Sequence, residues 1–360
     1  MNVLKEVDSW FPALKPSIYA DTATFGLISK ALFEWRQLHD LDFLNAGSAT
    51  SFNNNQILKD TRKTVARFFN FTADHIALTP SFSQGLNLLL EGLQTTEKVL
   101  LLEEDYPSLN WPFSSRKFSI SYLQLGANLE ERIHTTIKKE RITVFACSVV
   151  QWLSGFKMNF QFLKKLKAAY PDLLIIMDGT QFCGMEYFDF SSSAVDILGA
   201  SGYKWLLAGY GNGFFMVKPK VQHRFKLGSK GYGSGRNNSI QKDERVFCKR
   251  IEPGHLDSLS FGSLMFTMKF LMNIGLEDIG KQNQRLANHA KEHFAALGIL
   301  DDFMMESNQM STIFAVKKAH SYDDLISNKV VFAHRGDKIR LSFHFYNTID
   351  EVNQIVEFFK

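Results

Sequence analysis

The chain has 360 residues, 45% of them hydrophobic and 22% charged, which is too apolar for a disordered chain and long enough to bury a core without disulfides or metals. Forty-one Lys and Arg against 37 Asp and Glu leave a net charge of +4 spread along the sequence, which argues against a nucleic-acid or membrane-surface protein held by a basic patch. Three cysteines, Cys147, Cys183 and Cys248, with no Cys-x-x-Cys pair, make neither a disulfide framework nor a zinc or redox motif, and point to a reducing, cytoplasmic setting.

The opening stretch carries Lys5, Glu6 and Asp8 and does not read as a secretory signal. No apolar run approaches the roughly 20 residues of a membrane-spanning helix. From about residue 75, short apolar runs at 75–79, 98–102, 142–150, 173–177, 197–200 and 213–217 alternate with helix-like stretches at 84–94, 129–139 and 160–169. The runs are continuous, as expected of strands buried on both faces, so the pattern predicts βαβ crossovers and a largely parallel sheet. A Gly-rich loop occupies 228–235. After Gly254 come two long helical stretches, 256–273 and 276–297, then strands at 311–316, 330–333 and 339–345 and a helix at 350–359. The fold class expected is α/β: a large domain over 40–254 with a mostly parallel, seven-stranded-type sheet flanked by helices, and a small α+β domain built from both chain ends, 1–39 and 255–360.

Ligands of open parallel sheets bind beyond the carboxyl ends of the strands, so the residues directly after each run matter most. Asp178-Gly179-Thr180-Gln181 follows one run, Ser201-Gly202-Tyr203-Lys204 another, and Pro80-Ser81-Phe82-Ser83-Gln84-Gly85 a third. Together they offer a carboxylate, a lysine and a hydroxyl-rich turn opening a helix. Those are the groups pyridoxal phosphate needs: an amine for the Schiff base, an acid for the pyridine nitrogen and a helix N-terminus for the phosphate. In this scheme the Ser83 hydroxyl also suits a helix N-cap.

Three other motifs are set aside. Ser201-x-x-Lys204 lacks the Ser-Asp-Asn and Lys-Thr-Gly partners of the penicillin-interacting hydrolases. His289-x-x-Glu292-His293 matches a zinc pattern, but its histidines flank an apolar stripe of Leu286, Ala290, Phe294 and Leu297, and no metal site is expected. Gly209-x-Gly211-x-Gly213 precedes its strand and lacks dinucleotide spacing.

Asp178 to Gln181, Ser201 to Leu206 and Gly209 to Gly213 resemble the class V aminotransferase family, the fold-type I pyridoxal-phosphate group that also holds cysteine desulfurases, kynureninases and phosphoserine aminotransferases. Tyr19 to Thr24 resembles its opening strand and turn, Ser81 to Asn87 its phosphate turn, and Arg340-Leu341-Ser342 with His344 to Thr348 its C-terminal signature. The resemblance implies that Lys204 forms the Schiff base and shuttles the α-proton, and that Asp178 pairs with the pyridinium. Gln181 would donate to the cofactor's phenolic oxygen and Tyr106 would stack on its ring. Phe82, Ser83, Ser201 and Tyr203 would surround the phosphate, Arg340 with Thr24 would bind the substrate carboxylate, and His255 would reach the phosphate of a partner subunit. It further implies a homodimer acting on small molecules, an amino acid and a 2-oxo acid, with neither nucleic acid nor membrane as partner.

Desulfurases of the family carry a nucleophilic thiol on the loop before the carboxylate-binding arginine, and residues 317–338 contain none. The sequence reading is therefore an aminotransferase, with a phosphoserine or serine-type donor among the candidates, and not a cysteine desulfurase. The alternative is a kynureninase-like hydrolase or β-lyase, suggested by the Tyr203-Lys204 pair. A further reading is a non-catalytic binding relative, against which Asp178, Lys204 and Arg340 speak.

Overall fold

A computed structural model describes residues 6–235, 246–317 and 322–360. Its centre is a seven-stranded sheet of β1 (Ile76–Thr79), β2 (Lys98–Leu102), β3 (Ser119–Leu123), β4 (Val144–Ser148), β5 (Leu174–Asp178), β6 (Ile197–Ser201) and β7 (Gly213–Val217), in the order β1-β7-β6-β5-β4-β2-β3. Four of the six runs expected from sequence, β2, β4, β5 and β6, make parallel pairs, but β7 runs antiparallel to both β6 and β1. It returns by the tight turn through Gly209 and Gly211, both with positive φ, so no crossover helix separates it from β6. The edge strand β3 was not among the expected elements, because its residues Ser-Ile-Ser-Tyr-Leu, none of them buried, form no continuous apolar run.

Because side chains alternate along a strand, one face of the sheet takes Ile76, Leu78, Leu100, Phe145, Ile175 and Leu198, and the other takes Ala77, Val99, Leu101, Val144, Ile176 and Ile197. Helices α1 (Lys30–Ala46) and α2 (Ser51–Phe68) precede the sheet. On its second face lie α3 (Phe82–Glu91) and α4 (Pro107–Ser114), through Leu86, Leu89, Leu90, Leu109 and Phe113. On the first lie α5 (Leu129–Glu140) and α6 (Phe160–Ala169), joined by α7 (Ser258–Ile274) through Phe261, Leu264, Met268 and Leu271. Asn159 caps α6 and Asp257 caps α7, each with a side-chain oxygen accepting first-turn amides.

A third core joins α8 (Leu276–Ala296) and α9 (Ile349–Glu357) to an antiparallel sheet, β9-β10-β8, of β8 (Ile313–Lys317), β9 (Ala333–Arg335) and β10 (Lys338–Ser342). The expected strand over 330–333 is two pieces: Val330–Val331 pairs in parallel with Ile18–Tyr19, and β9 pairs with β10. The chain's early segment is thereby threaded into the C-terminal unit. It then crosses above the end of β6, where the Gly26 N–H donates to the Tyr203 carbonyl at 2.8 Å.

A side chain at Gly26 has no room: a Cβ there would lie 1.8 Å from the Lys204 carbonyl oxygen and 2.7 Å from Leu207. Gly26→Ala is expected to lower stability by about 1–3 kcal/mol, as overpacking does. The measurement is the urea midpoint, and an unchanged midpoint would contradict this account of the crossing.

Candidate active site

β6 ends at Ser201, and the next turn places Lys204 only 5% exposed beneath the Gly26 crossing. Its Nζ lies 5.2 Å from the centroid of the Tyr106 ring and 5.5 Å from that of Tyr203. Asp178 closes the neighbouring strand β5 and is in register with Gly199. Its carboxylate accepts the Thr180 N–H at 2.8 Å and has no ion-pair partner among the described residues. Burial pushes the Asp178 carboxyl up to about 6, against the hydrogen bonds from Thr180. Burial and the Arg340 charge push the Lys204 amine down to about 7. The cleft thus holds an amine half-deprotonated at neutral pH above a carboxyl shifted the opposite way.

Tyr106 opens α4 and is fixed by Asp105, a carboxylate missed in the sequence reading. Asp105 is buried and accepts from Tyr106 N at 2.7 Å, Ser148 N at 2.7 Å and Ser148 Oγ at 2.6 Å, tying the end of β2 to the end of β4. It occupies the position just beyond a strand that pointed to Asp178, and the same signal could have found it.

Three corrections concern the phosphate turn and Gln181. The N-cap of α3 is Ser81, whose Oγ accepts the Gln84 N–H, because α3 starts at Phe82 and Ser83 already lies within its first turn. The Phe82 N–H is taken by Ser201 Oγ at 2.9 Å, and the Phe82 ring stacks on Phe215. Of the three first-turn amides, only that of Ser83 has no acceptor among the described residues. Gln181 acts as a brace: Nε2 donates to the Ala23 carbonyl at 2.9 Å, and Oε1 accepts from Trp205 Nε1 at 2.8 Å.

On the opposite wall, β10 carries Arg340, 2% exposed. It donates through Nη1 to the Trp152 carbonyl at 2.9 Å and through Nη2 to Thr24 Oγ1 at 2.5 Å, and Asp21 Oδ1 lies 3.5 Å from Nη2. Its Nε is buried and has no hydrogen-bond partner among the described residues. Arg335, also missed, donates from Nη2 to the same Thr24 oxygen at 3.3 Å. The hairpin register explains this: Ala333 faces Arg340, and Arg335 follows two residues on along the same face. Lys204, Asp178, Tyr106, Tyr203, Ser201, Thr24 and Arg340 therefore belong to one cleft. His255 stands outside it, exposed and stacked on Tyr232 with ring centroids 4.6 Å apart.

These residues suit pyridoxal phosphate. A buried carboxylate lacking a cation matches a protonated pyridine nitrogen. An amine of lowered basicity matches the aldehyde carbon, and the Ser83 amide with the Ser201 hydroxyl matches a phosphate at the start of α3.

The Lys204 environment makes a stability test possible on the cofactor-free protein. Below about pH 7 both folded and unfolded chains hold this proton. Between about 7 and the ordinary 10.5 only the unfolded chain does, so the wild type gains stability as pH rises through that window. Lys204→Met is expected to raise the melting temperature most at pH 6, with the advantage shrinking toward pH 10. A pH-independent difference would show that the amine is not desolvated.

The family model for aminotransferase class-V matches residues 42–355. A probable cysteine desulfurase of Ureaplasma parvum is 22% identical over 393 residues, covering 100% of this chain and 97% of that protein. The apo cysteine desulfurase of Thermococcus onnurineus superposes with a TM-score of 0.83 at 18% identity, covering 98% of this chain and 96% of that one. The cystine C–S lyase C-DES, solved with its product cysteine persulfide, gives 0.85 at 17% identity over 96% of this chain and 98% of that one. A variant of C-DES has been solved with glycine covalently linked to its pyridoxal-phosphate cofactor. These relatives overturn the expectation of an aminotransferase that is not a cysteine desulfurase. That expectation rested on one missing loop thiol, which displacement at the substrate sulfur requires but elimination from Cβ does not. With a match spanning most of its length and a fold shared with these enzymes, the chain belongs to the aminotransferase class-V family and is a fold-type I enzyme whose cofactor is pyridoxal phosphate.

Proposed function

We propose that this enzyme cleaves the carbon–sulfur bond at Cβ of a cysteine-class amino acid. The observation carrying this reading is a complete amine, acid and guanidinium set in one cleft of a chain whose full-length relative is named a probable cysteine desulfurase. When bound, pyridoxal phosphate supplies an electron sink for the pair left at Cα. Lys204 and Asp178 would hold it, with the Tyr106 ring, the Ser201 hydroxyl and the Ser83 amide.

The residues of this chain do the rest. Arg340 orients the substrate α-carboxylate by charge-assisted hydrogen bonds, with its buried Nε still available as a donor. Lys204, neutral in a large share of molecules at pH 7, takes the proton from Cα and returns it as an acid. Asp178, ionised at that pH, keeps a proton on the ring nitrogen. Tyr106 and Trp152, with rings 5.9 Å apart, wall the cleft against water beside the Arg340 clamp. Cys147, Cys183 and Cys248 are all buried, so the sulfur goes to an acceptor from outside this chain or leaves as sulfide.

Cofactor-loaded protein given L-cysteine or L-cystine is expected to release sulfur, with alanine as co-product when a thiol accepts it and pyruvate with ammonia when sulfide is eliminated. Lys204→Ala should lower the rate by at least about a hundredfold, the scale of a lost general base. Loaded enzyme that binds L-cysteine yet yields neither sulfide nor sulfane sulfur would overturn the reading.

We further propose a homodimer. Phe33, Leu38, Leu41 and Leu44 lie 56%, 63%, 47% and 81% exposed along α1, an apolar surface large for a lone helix face. Light scattering on the eluting protein should give twice the 41.1 kDa chain mass. A monomer that still takes up cofactor would contradict it.

A further inference from the structure

Lys204 is held through its own backbone, and one of the holds comes from the far end of the chain. The Tyr203 carbonyl takes the Gly26 N–H at 2.8 Å, the Lys204 carbonyl takes the Leu207 N–H at 3.0 Å, and the Trp205 carbonyl lies 3.1 Å from His344 Nε2. The first two donors are backbone amides. The third is a side chain, so a substitution can remove it. His344 is 0% exposed and stands four residues beyond Arg340, just past the end of β10. Its ring meets the Trp205 indole edge-on, with centroids 5.1 Å apart. On another side Gly184, at φ +106°, lies so close that a Cβ there would sit 2.4 Å from the Trp205 oxygen. The carbonyl is fixed between a glycine backbone and an imidazole.

The partners of the ring assign its proton. A carbonyl only accepts, so Nε2 is the donor, and Nδ1 is left to accept from Asn283 Nδ2 at 3.4 Å. The same Asn283 nitrogen donates to the Met185 carbonyl at 2.7 Å. Burial pushes the imidazole down to about 3, so the donor stays neutral and adds no charge beside an amine that already faces Arg340 and Arg335.

We propose that His344 is a positioning residue for the Lys204 amine: by holding the Trp205 carbonyl, it ties the lysine's turn to the strand that carries the Arg340 clamp. Without that bond the Trp205 carbonyl is buried and unpaired, the turn shifts toward another donor, and water reaches the amine. The inference rests on the assignment of Lys204 made above and needs no carbon–sulfur cleavage.

The test compares wild type with His344→Leu, which removes the donor, and His344→Gln, which keeps an uncharged N–H. The first reading is the pH dependence of pyridoxal phosphate uptake by the cofactor-free protein, followed by absorbance. The groups facing the amine, Arg340, Arg335, Asp178, Asp21, Tyr106 and Tyr203, are the same in all three proteins, so a moved midpoint reports where the amine sits. Wild type is expected to show a midpoint at about 7. His344→Leu should move it up by about one unit as the amine regains water, and His344→Gln should return most of that shift. The second reading is exchange of the Cα proton of L-alanine in D2O by the loaded enzyme. In His344→Leu the maximal rate should fall about tenfold to a hundredfold, with the half-saturating concentration changed less than about twofold, the pattern of a displaced base beside an intact clamp. A merely structural role would lower the melting temperature and leave both readings at wild-type values, and that result would overturn the proposal. If His344→Leu does not fold, nitrogen-15 spectra of the wild-type histidines decide: a ring protonated on Nε2 and unchanged from about pH 5 to 9 supports the tie. A ring that titrates there, or carries its proton on Nδ1, overturns it. Lys204→Ala that still exchanges the alanine proton would defeat the assignment of Lys204 as base alone, since the uptake midpoints and the ring proton still decide the role of His344.

Discussion

Arg340 is the interaction on which the rest of the site depends. Its side chain is almost wholly enclosed, and its hydrogen bonds reach Thr24 from the beginning of the chain and Trp152 from the loop after β4, while it stands on a strand near the end. A buried guanidinium must be given acceptors or it destabilises what surrounds it. Satisfying this one fixes the opening segment, the large sheet and the C-terminal sheet relative to each other. The Gly26 crossing, the Gln181 brace to Ala23 and the Thr22 hydroxyl bonded to Tyr346 at 2.5 Å then follow as neighbours of a position already set.

The cleft uses a single cause twice. Taking Asp178 and Lys204 out of water favours the uncharged form of each, which moves the acid up and the base down. The protein adds selectivity through neighbours: Thr180 hydrogen bonds keep the acid ionisable, and the arginines keep the lysine from holding its proton. Asp105, one strand away, is buried with three donors and serves geometry, holding Tyr106 and the end of β4 beside Asp178.

Much of this was legible in the sequence, because strands buried on both faces show as unbroken apolar runs, and because the residues directly beyond them are where an open sheet presents chemistry. Lys204 and Asp178 were readable on that rule, and Tyr106 only through the family resemblance. What was not readable depends on contacts between distant segments. Edge strand β3 is half-exposed and carries no apolar signature, and the reversed direction of β7 depends on a glycine turn whose handedness composition does not state. The commitment of the Phe82 amide to Ser201 and of Gln181 to Trp205 arises only once the strands are side by side. Arg335 was hidden for a different reason: its meaning comes from a hairpin register that places it next to another arginine, and the sequence shows only two cations five residues apart. Reading function from the missing thiol failed because one residue's absence was weighed above a constellation that was present.

The parallel pairing of Ile18–Tyr19 with Val330–Val331 and the bond from Ala23 N to Ser342 Oγ give the molecule a fixed order of completion during synthesis. The ribosome delivers the whole seven-stranded sheet by residue 217, and with it Lys204, Asp178 and Tyr106. The clamp cannot close until residue 342 has emerged, so the Ile18–Tyr19 strand has to wait, without its partner strand, for more than three hundred residues of chain. Contacts of such separation form slowly, and the nascent protein therefore spends its last stage with the cofactor end of the cleft built and the substrate end still open.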